Sequence, residues 1–83
     1  MKVQVRKISD GARSIYIDTE FIRLEALLKL ADAVPSGGVA KLMIQNGEAK
    51  VNGEVCTMRG KKLREGDRVT FQGSEFVVKS RAN

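Results

Sequence analysis

Residues 36–53, SGGVAKLMIQNGEAKVNG, constrain the fold more than any other stretch of the chain. They read as a short helix, a glycine stop, a strand and a tight turn. Val39, Ala40, Leu42, Met43 and Ile44 give the helix an apolar surface that leaves out Gly37, Lys41 and Gln45, spaced i, i+4, i+8 on one stripe. The spacing predicts a helix buried except along that narrow polar stripe. Ser36 is a ready N-cap. The stripe then opens on Gly37 and Gly38, where a helix start offers N–H groups without intrahelical partners and no side chain shields them from an anion. Gly47, after Asn46, is the helix stop. Beyond it the period changes to two, and Ala49-Lys50-Val51, Asn52-Gly53, Glu54-Val55-Cys56 reads as a hairpin around a strong turn dipeptide.

An earlier helix is equally legible. Leu24, Leu27, Leu28 and Ala31 fall at i, i+3, i+4, i+7, with Arg23, Glu25, Lys29 and Asp32 on the wet side and Glu25–Lys29 as an i,i+4 pair. Its start is open between caps at Asp18 or Thr19 and an extended lead-in through Phe21 and Ile22. Pro35 is expected to end it. Before it, Ile15 and Ile17 alternate with Ser14 and Tyr16 as a strand, which can pair with a weak strand at residues 3–8 across Asp10-Gly11. After the Asn52-Gly53 hairpin, residues 57–64 form a basic loop anchored by Leu63, followed by a turn at residues 65–67. Val69 and Phe71, then Phe76 and Val78, are strands joined at Gly73-Ser74, and residues 80–83 are a frayed tail.

The expected class is therefore α+β, two short helices followed by a small, mostly antiparallel sheet. The expected core is Ile17, Leu24, Leu27, Leu28, Ala31, Ala40, Met43, Ile44, Val51, Val55, Leu63, Val69, Phe71 and Val78. The chain is expected to be a single domain, 1–83, with residues 1–13 an extension or weak strand and the core at 14–79.

Charge narrows the function. Fifteen Lys and Arg stand against ten Asp and Glu, a formal +5 in 83 residues. Residues 1–35 hold six basic and five acidic side chains, residues 36–83 nine and five, so the excess lies in the second half. That asymmetry favours an anionic partner. With one Cys and no His, neither a disulfide within the chain nor a Cys/His zinc site can be assembled. No nucleophile–base set, paired carboxylates or phosphate loop is present, so no enzyme, no cofactor and no metal are expected. Without a membrane-length apolar run or a signal-like N-terminus, the expected setting is cytoplasmic, with no membrane partner and a monomer as the default. The aromatics are one Tyr and three Phe. Phe21, Phe71 and Phe76 read as core, leaving no stacking platform for single strands.

Ser36, Ala40, Lys41, Ile44, Gly47, Val51-Asn52-Gly53 and Gly66-Asp67 resemble, in order and spacing, the RNA-binding domain named after small-subunit ribosomal protein S-four (the alpha-L motif). The match covers residues 24–71. The lone domain, with LLKL, SGG and a closing FQGSEFVV, looks like the stand-alone, ribosome-associated bacterial members. The resemblance implies a non-catalytic protein binding folded RNA, ribosomal or transfer RNA, and possibly the ribosome itself. Carried over position by position, it places RNA contacts at Gly37, Gly38, Lys41, Lys50, Asn52, Arg59, Lys61 and Lys62. One departure stands out: many members carry Arg directly after the helix-leading Ser, where this chain has Gly37. The alternative is a small adaptor that docks an acidic protein through the same basic face.

Overall fold

The leucine repeat at residues 24–28 becomes the buried side of a helix in the computed structural model, which describes residues 12–81. In chain order the elements are β1 (Arg13–Ile17), β2 (Ile22–Arg23), α1 (Leu24–Leu30), α2 (Gly37–Gln45), β3 (Ala49–Val51), β4 (Glu54–Val55), β5 (Lys62–Leu63), β6 (Arg68–Phe71) and β7 (Ser74–Ser80). The larger sheet has the order β1-β7-β6-β3-β4, and β2 and β5 form a separate antiparallel pair. All pairings in the larger sheet are antiparallel except β1 with β7, which run parallel. The class is α+β.

Both helices end in the same way. In α1 the Asp32 N–H donates to Lys29 O and the Ala33 N–H to Leu28 O, around Asp32 at φ 61°. In α2 the Gly47 N–H donates to Ile44 O and the Glu48 N–H to Met43 O, around Gly47 at φ 81°. These are Schellman turns, which return two unpaired helix carbonyls to hydrogen bonds through one left-handed residue. The first helix therefore ends at Leu30, turned by the left-handed Asp32, ahead of Pro35. Asp32 lacks the glycine signature of such a stop.

Strand alternation sets the two faces of the sheet. Ile15, Ile17, Ala49, Val51, Val69, Phe71, Phe76 and Val78 meet the helix side chains Leu24, Leu27, Leu28, Ala40 and Ile44 in one core, with Leu63 completely buried among them. Lys50, Thr70 and Glu75 are cross-strand neighbours on the opposite face, because flanking residues on a strand point opposite ways. Of the expected core, Val55 is 57% exposed: it pairs with Lys50 on the outer face of the edge strand β4. Met43 is only half-buried. On α2, Leu42 is 62% exposed, so the solvent side is a broad band of Gly38, Lys41, Leu42 and Gln45 and not a narrow stripe. Phe21 is half-buried and lies outside the core.

The described residues add one pairing and change two further expectations. The strand at residues 14–17 pairs with β7 at the far end of the chain. Its expected partner at residues 3–8 lies outside the described residues. The chain end is not frayed at residue 80, since Ser80 completes β7 and the Arg81 N–H donates to Ile17 O at 2.9 Å. The basic loop contains a strand, β5, whose pairing with β2 sets Ile22 opposite Leu63 and Arg23 opposite Lys62.

Candidate RNA interface

The basic segment is held to the start of α1 by its own backbone. The first N–H groups of that helix have no side-chain cap. Instead Leu24 N–H donates to Lys61 O (2.9 Å) and Glu25 N–H to Arg59 O (3.0 Å). A turn closes the segment through the Lys61 N–H to Met58 O (3.1 Å). Leu63 anchors its far end, and burying a leucine contributes roughly 1.5–3 kcal/mol. Helix capping and one apolar side chain thus fix the place of Arg59, Lys61 and Lys62.

The Asn52 side chain locks the other side. Its Nδ2 donates to Asp67 Oδ1 (3.2 Å), its Oδ1 accepts from the Arg68 N–H (3.0 Å), and its backbone N–H donates to Arg68 O (2.8 Å). Asp67 Oδ2 in turn accepts from the Arg64 N–H (2.8 Å). With φ 52°, Asn52 also takes the left-handed conformation that the turn requires. Asn52 and the Gly66-Asp67 turn therefore register the hairpin against the end of the basic segment.

Around this scaffold the cations crowd. Alternation about Leu63 turns Lys62 and Arg64 to the same side, where Arg23 joins them from β2. Arg23 and Lys62 are directly opposed, a like-charge pair that costs stability in a sheet. The Phe21 ring stands among them: Lys62 Nζ is 4.9 Å from its centroid, and the guanidinium carbons of Arg23 and Arg64 are 5.8 and 5.9 Å away. Phe21 also lines a hollow of about 420 Å³ with Arg23, Glu25, Lys29 and Gly37. Glu25 pairs with Arg59 at 3.7 Å, both side chains partly exposed, and so serves Arg59 and not the expected i,i+4 pair. Lys29 instead extends toward α2, where a Cβ built on Gly37 would stand 3.8 Å from its Cδ and 3.9 Å from its Nζ.

Ser36 Oγ accepts the Val39 N–H (3.3 Å) and Ser36 O the Ala40 N–H (3.1 Å). The N–H groups of Gly37 and Gly38 precede Ala40, the first intrahelical donor, and have no acceptor within the helix. Lys29 therefore brings a positive charge to the positive end of a helix dipole, an arrangement worth roughly 0.3–1 kcal/mol in the wrong direction until an anion arrives. Lys41 is exposed one turn beyond Gly37. Gly37, Lys62 and Arg59 thus border one region through Phe21 and Glu25, and Lys41 continues it along α2.

Three of the expected residues, Lys50, Lys61 and Asn52, stand apart from that region. Lys50, flanked by buried Ala49 and Val51, points from the face of the sheet opposite the helices. Lys61 lines a second hollow of about 520 Å³ with Asn52, Val55, Met58 and Asp67. In the other direction, Arg23 and Lys29, expected on the wet side of the first helix, enter the region, and Arg64 of the basic loop joins them. Alternation could have found two of them: Phe21 and Arg23 flank Ile22, and Lys62 and Arg64 flank Leu63.

Comparison with known proteins bears on the same stretch. Residues 15–79 match the model of the S4 domain. The probable ribosome maturation protein RlbA of Bacillus subtilis is 48% identical over 62 residues, which cover 75% of this chain and 87% of that protein.

Proposed function

The chain belongs to the S4-domain family, and from that premise we propose that it is a non-catalytic protein that binds folded ribosomal RNA and serves ribosome maturation in the cytoplasm. The observation that carries the reading is the placement of cations against their own electrostatic interest. Arg23 opposes Lys62, and Lys29 approaches the start of α2. Among the described residues, the ion pairs within 4 Å are Arg59–Glu25 and Arg68–Glu75, so carboxylates do not neutralise that crowd. Phosphates do: they accept from lysine, from guanidinium forks and from helix-start N–H groups, and they position a protein on RNA without reading its sequence.

In this reading Gly37, Gly38, Lys41, Arg59 and Lys62 form the RNA face with Arg23, Lys29 and Arg64. Lys61 extends it toward the second hollow, Asn52 builds its scaffold, and Lys50 contributes at most a peripheral contact. The whole chain acts as one domain and as a monomer. The relative's printed name, a probable ribosome maturation protein, supports the choice of ribosomal RNA.

Binding to rRNA from bacterial ribosomes, followed by filter retention across a salt series, tests the proposal. With about four phosphates neutralised, log affinity falls against log salt with a slope of roughly −3. Affinity without salt dependence contradicts it. Co-purified complexes that survive nuclease would instead indicate docking to an acidic protein.

A further inference from the structure

Phe21 stands outside the core with three cations over its ring. A phosphate-binding surface needs cations and N–H donors, and an aromatic ring adds nothing to it. The ring is half-buried and outside the core, lines the hollow between β2, α1 and α2, and gathers three cations within 6 Å of its centroid. An aromatic face framed by cations is the combination that holds a single unstacked nucleotide: the base stacks on the ring, and the phosphates on either side of it meet the charges. The hollow, about 420 Å³, falls within the roughly 300–1,000 Å³ typical of small-molecule sites. Its walls suit such a guest. Ile22 and Ala26 are apolar, Glu25 offers a carboxylate, and Lys29 and Gly37 close the side facing α2.

We infer that Phe21 is a stacking platform for one unpaired nucleobase, at a bulge or loop of the bound RNA, with Arg23, Lys62 and Arg64 holding its flanking phosphates. The inference rests on the RNA-binding reading above and adds to it a preference for RNA that presents an extruded base next to a paired segment. The three cations now attracted to the ring would exchange it for phosphate oxygens, and the ring face would pass to the base.

The chain contains no Trp, so Phe21→Trp places a single fluorescent reporter at the platform. The probe is rRNA from bacterial ribosomes, with binding followed by filter retention at several salt concentrations. Phe21→Leu keeps an apolar side chain but removes the ring, and its melting curve shows that the fold is intact. The expected result is a roughly 5- to 150-fold loss of affinity in Phe21→Leu, at an unchanged salt slope because no phosphate contact is removed. Phe21→Trp retains affinity, and its emission is quenched on saturation. Wild-type affinity in Phe21→Leu, or unquenched emission from a saturated Phe21→Trp complex, overturns the platform and leaves the RNA-binding reading standing. No binding of rRNA by the wild-type protein removes that reading and the platform with it.

Discussion

Replacing Gly37 by arginine tests whether the start of α2 faces a phosphate. A side chain fits there: the nearest atoms to a new Cβ are those of Lys29 at 3.8 and 3.9 Å, ordinary contact distances at the far end of a flexible chain. Three terms act on the free protein. Removing a helical glycine stabilises by up to about 1 kcal/mol. A second cation at the helix start costs roughly 0.3–1 kcal/mol. Repulsion from Lys29 at about 6 Å in water costs roughly 0.7 kcal/mol before screening. These nearly cancel, so the midpoint of urea denaturation should hardly move. RNA affinity behaves differently. One additional phosphate contact steepens the salt slope by roughly 0.7–0.9, which amounts to roughly sixfold tighter binding at 0.1 M salt relative to 1 M. Lys29→Ala should change both quantities by similar amounts in the opposite sense, and Lys29→Ala/Gly37→Arg should return close to wild type. The assay is filter retention on rRNA across a salt series. An unchanged slope in Gly37→Arg, or weaker binding at the same slope, would refute a phosphate at this helix start and would return Lys29 to the solvated surface.

Other variants separate the scaffold from the face. Leu63→Ala removes a completely buried anchor and should destabilise by roughly 2–5 kcal/mol in urea titrations, with the basic segment loosened from α1. Asn52→Ala loses the bonds to Asp67 and Arg68 and places a Cβ-bearing residue without a local hydrogen-bonding side chain at positive φ. Calorimetry should show a loss of roughly 2–3 kcal/mol, and Asn52→Gly should recover part of it. Asp32→Gly puts glycine at the left-handed position that ends α1 and should raise stability by roughly 0.5–1 kcal/mol in thermal melts. Glu25→Gln frees Arg59 from an exposed pair worth no more than about 1 kcal/mol; rRNA affinity should rise while the melting temperature stays within a few degrees.

Legibility in the sequence followed the range of the interactions. Features decided within one or two turns of chain were readable: the Leu24, Leu27, Leu28 repeat, the Ser36 cap, the Gly47 stop and the Asn52-Gly53 hairpin. The parallel pairing of β1 with β7 joins the two ends of the described chain, and no local pattern announces it. β2 and β5 are two residues each, too short for periodicity, yet their pairing assembles the cation cluster. Val55 shares the outer face of the sheet with its partner Lys50, and Leu42 lies on the solvent side of α2, so both are exposed despite their apolar side chains. Sequence alone places Phe21 in the core, where a lone phenylalanine usually belongs. Only its neighbours in space, Arg23, Lys62 and Arg64, give it another use.

In the proposed function, anion binding depends on the face shared by α1, α2 and the basic segment and not on net charge. The direct measurement compares two triple variants with equal loss of charge. Lys29, Arg59 and Lys62 are changed to Ala in one. In the other, Arg68, Lys79 and Arg81 are changed; Arg68 and Lys79 are exposed on the outer side of the sheet, and Arg81 lies near Tyr16 of the same side. With rRNA as the probe, the first variant should lose most of its affinity and flatten its salt slope by roughly 2–3, while the second keeps the wild-type slope within experimental scatter. Equal losses in the two variants would contradict the account, because binding would then follow total charge and not the arrangement of the face.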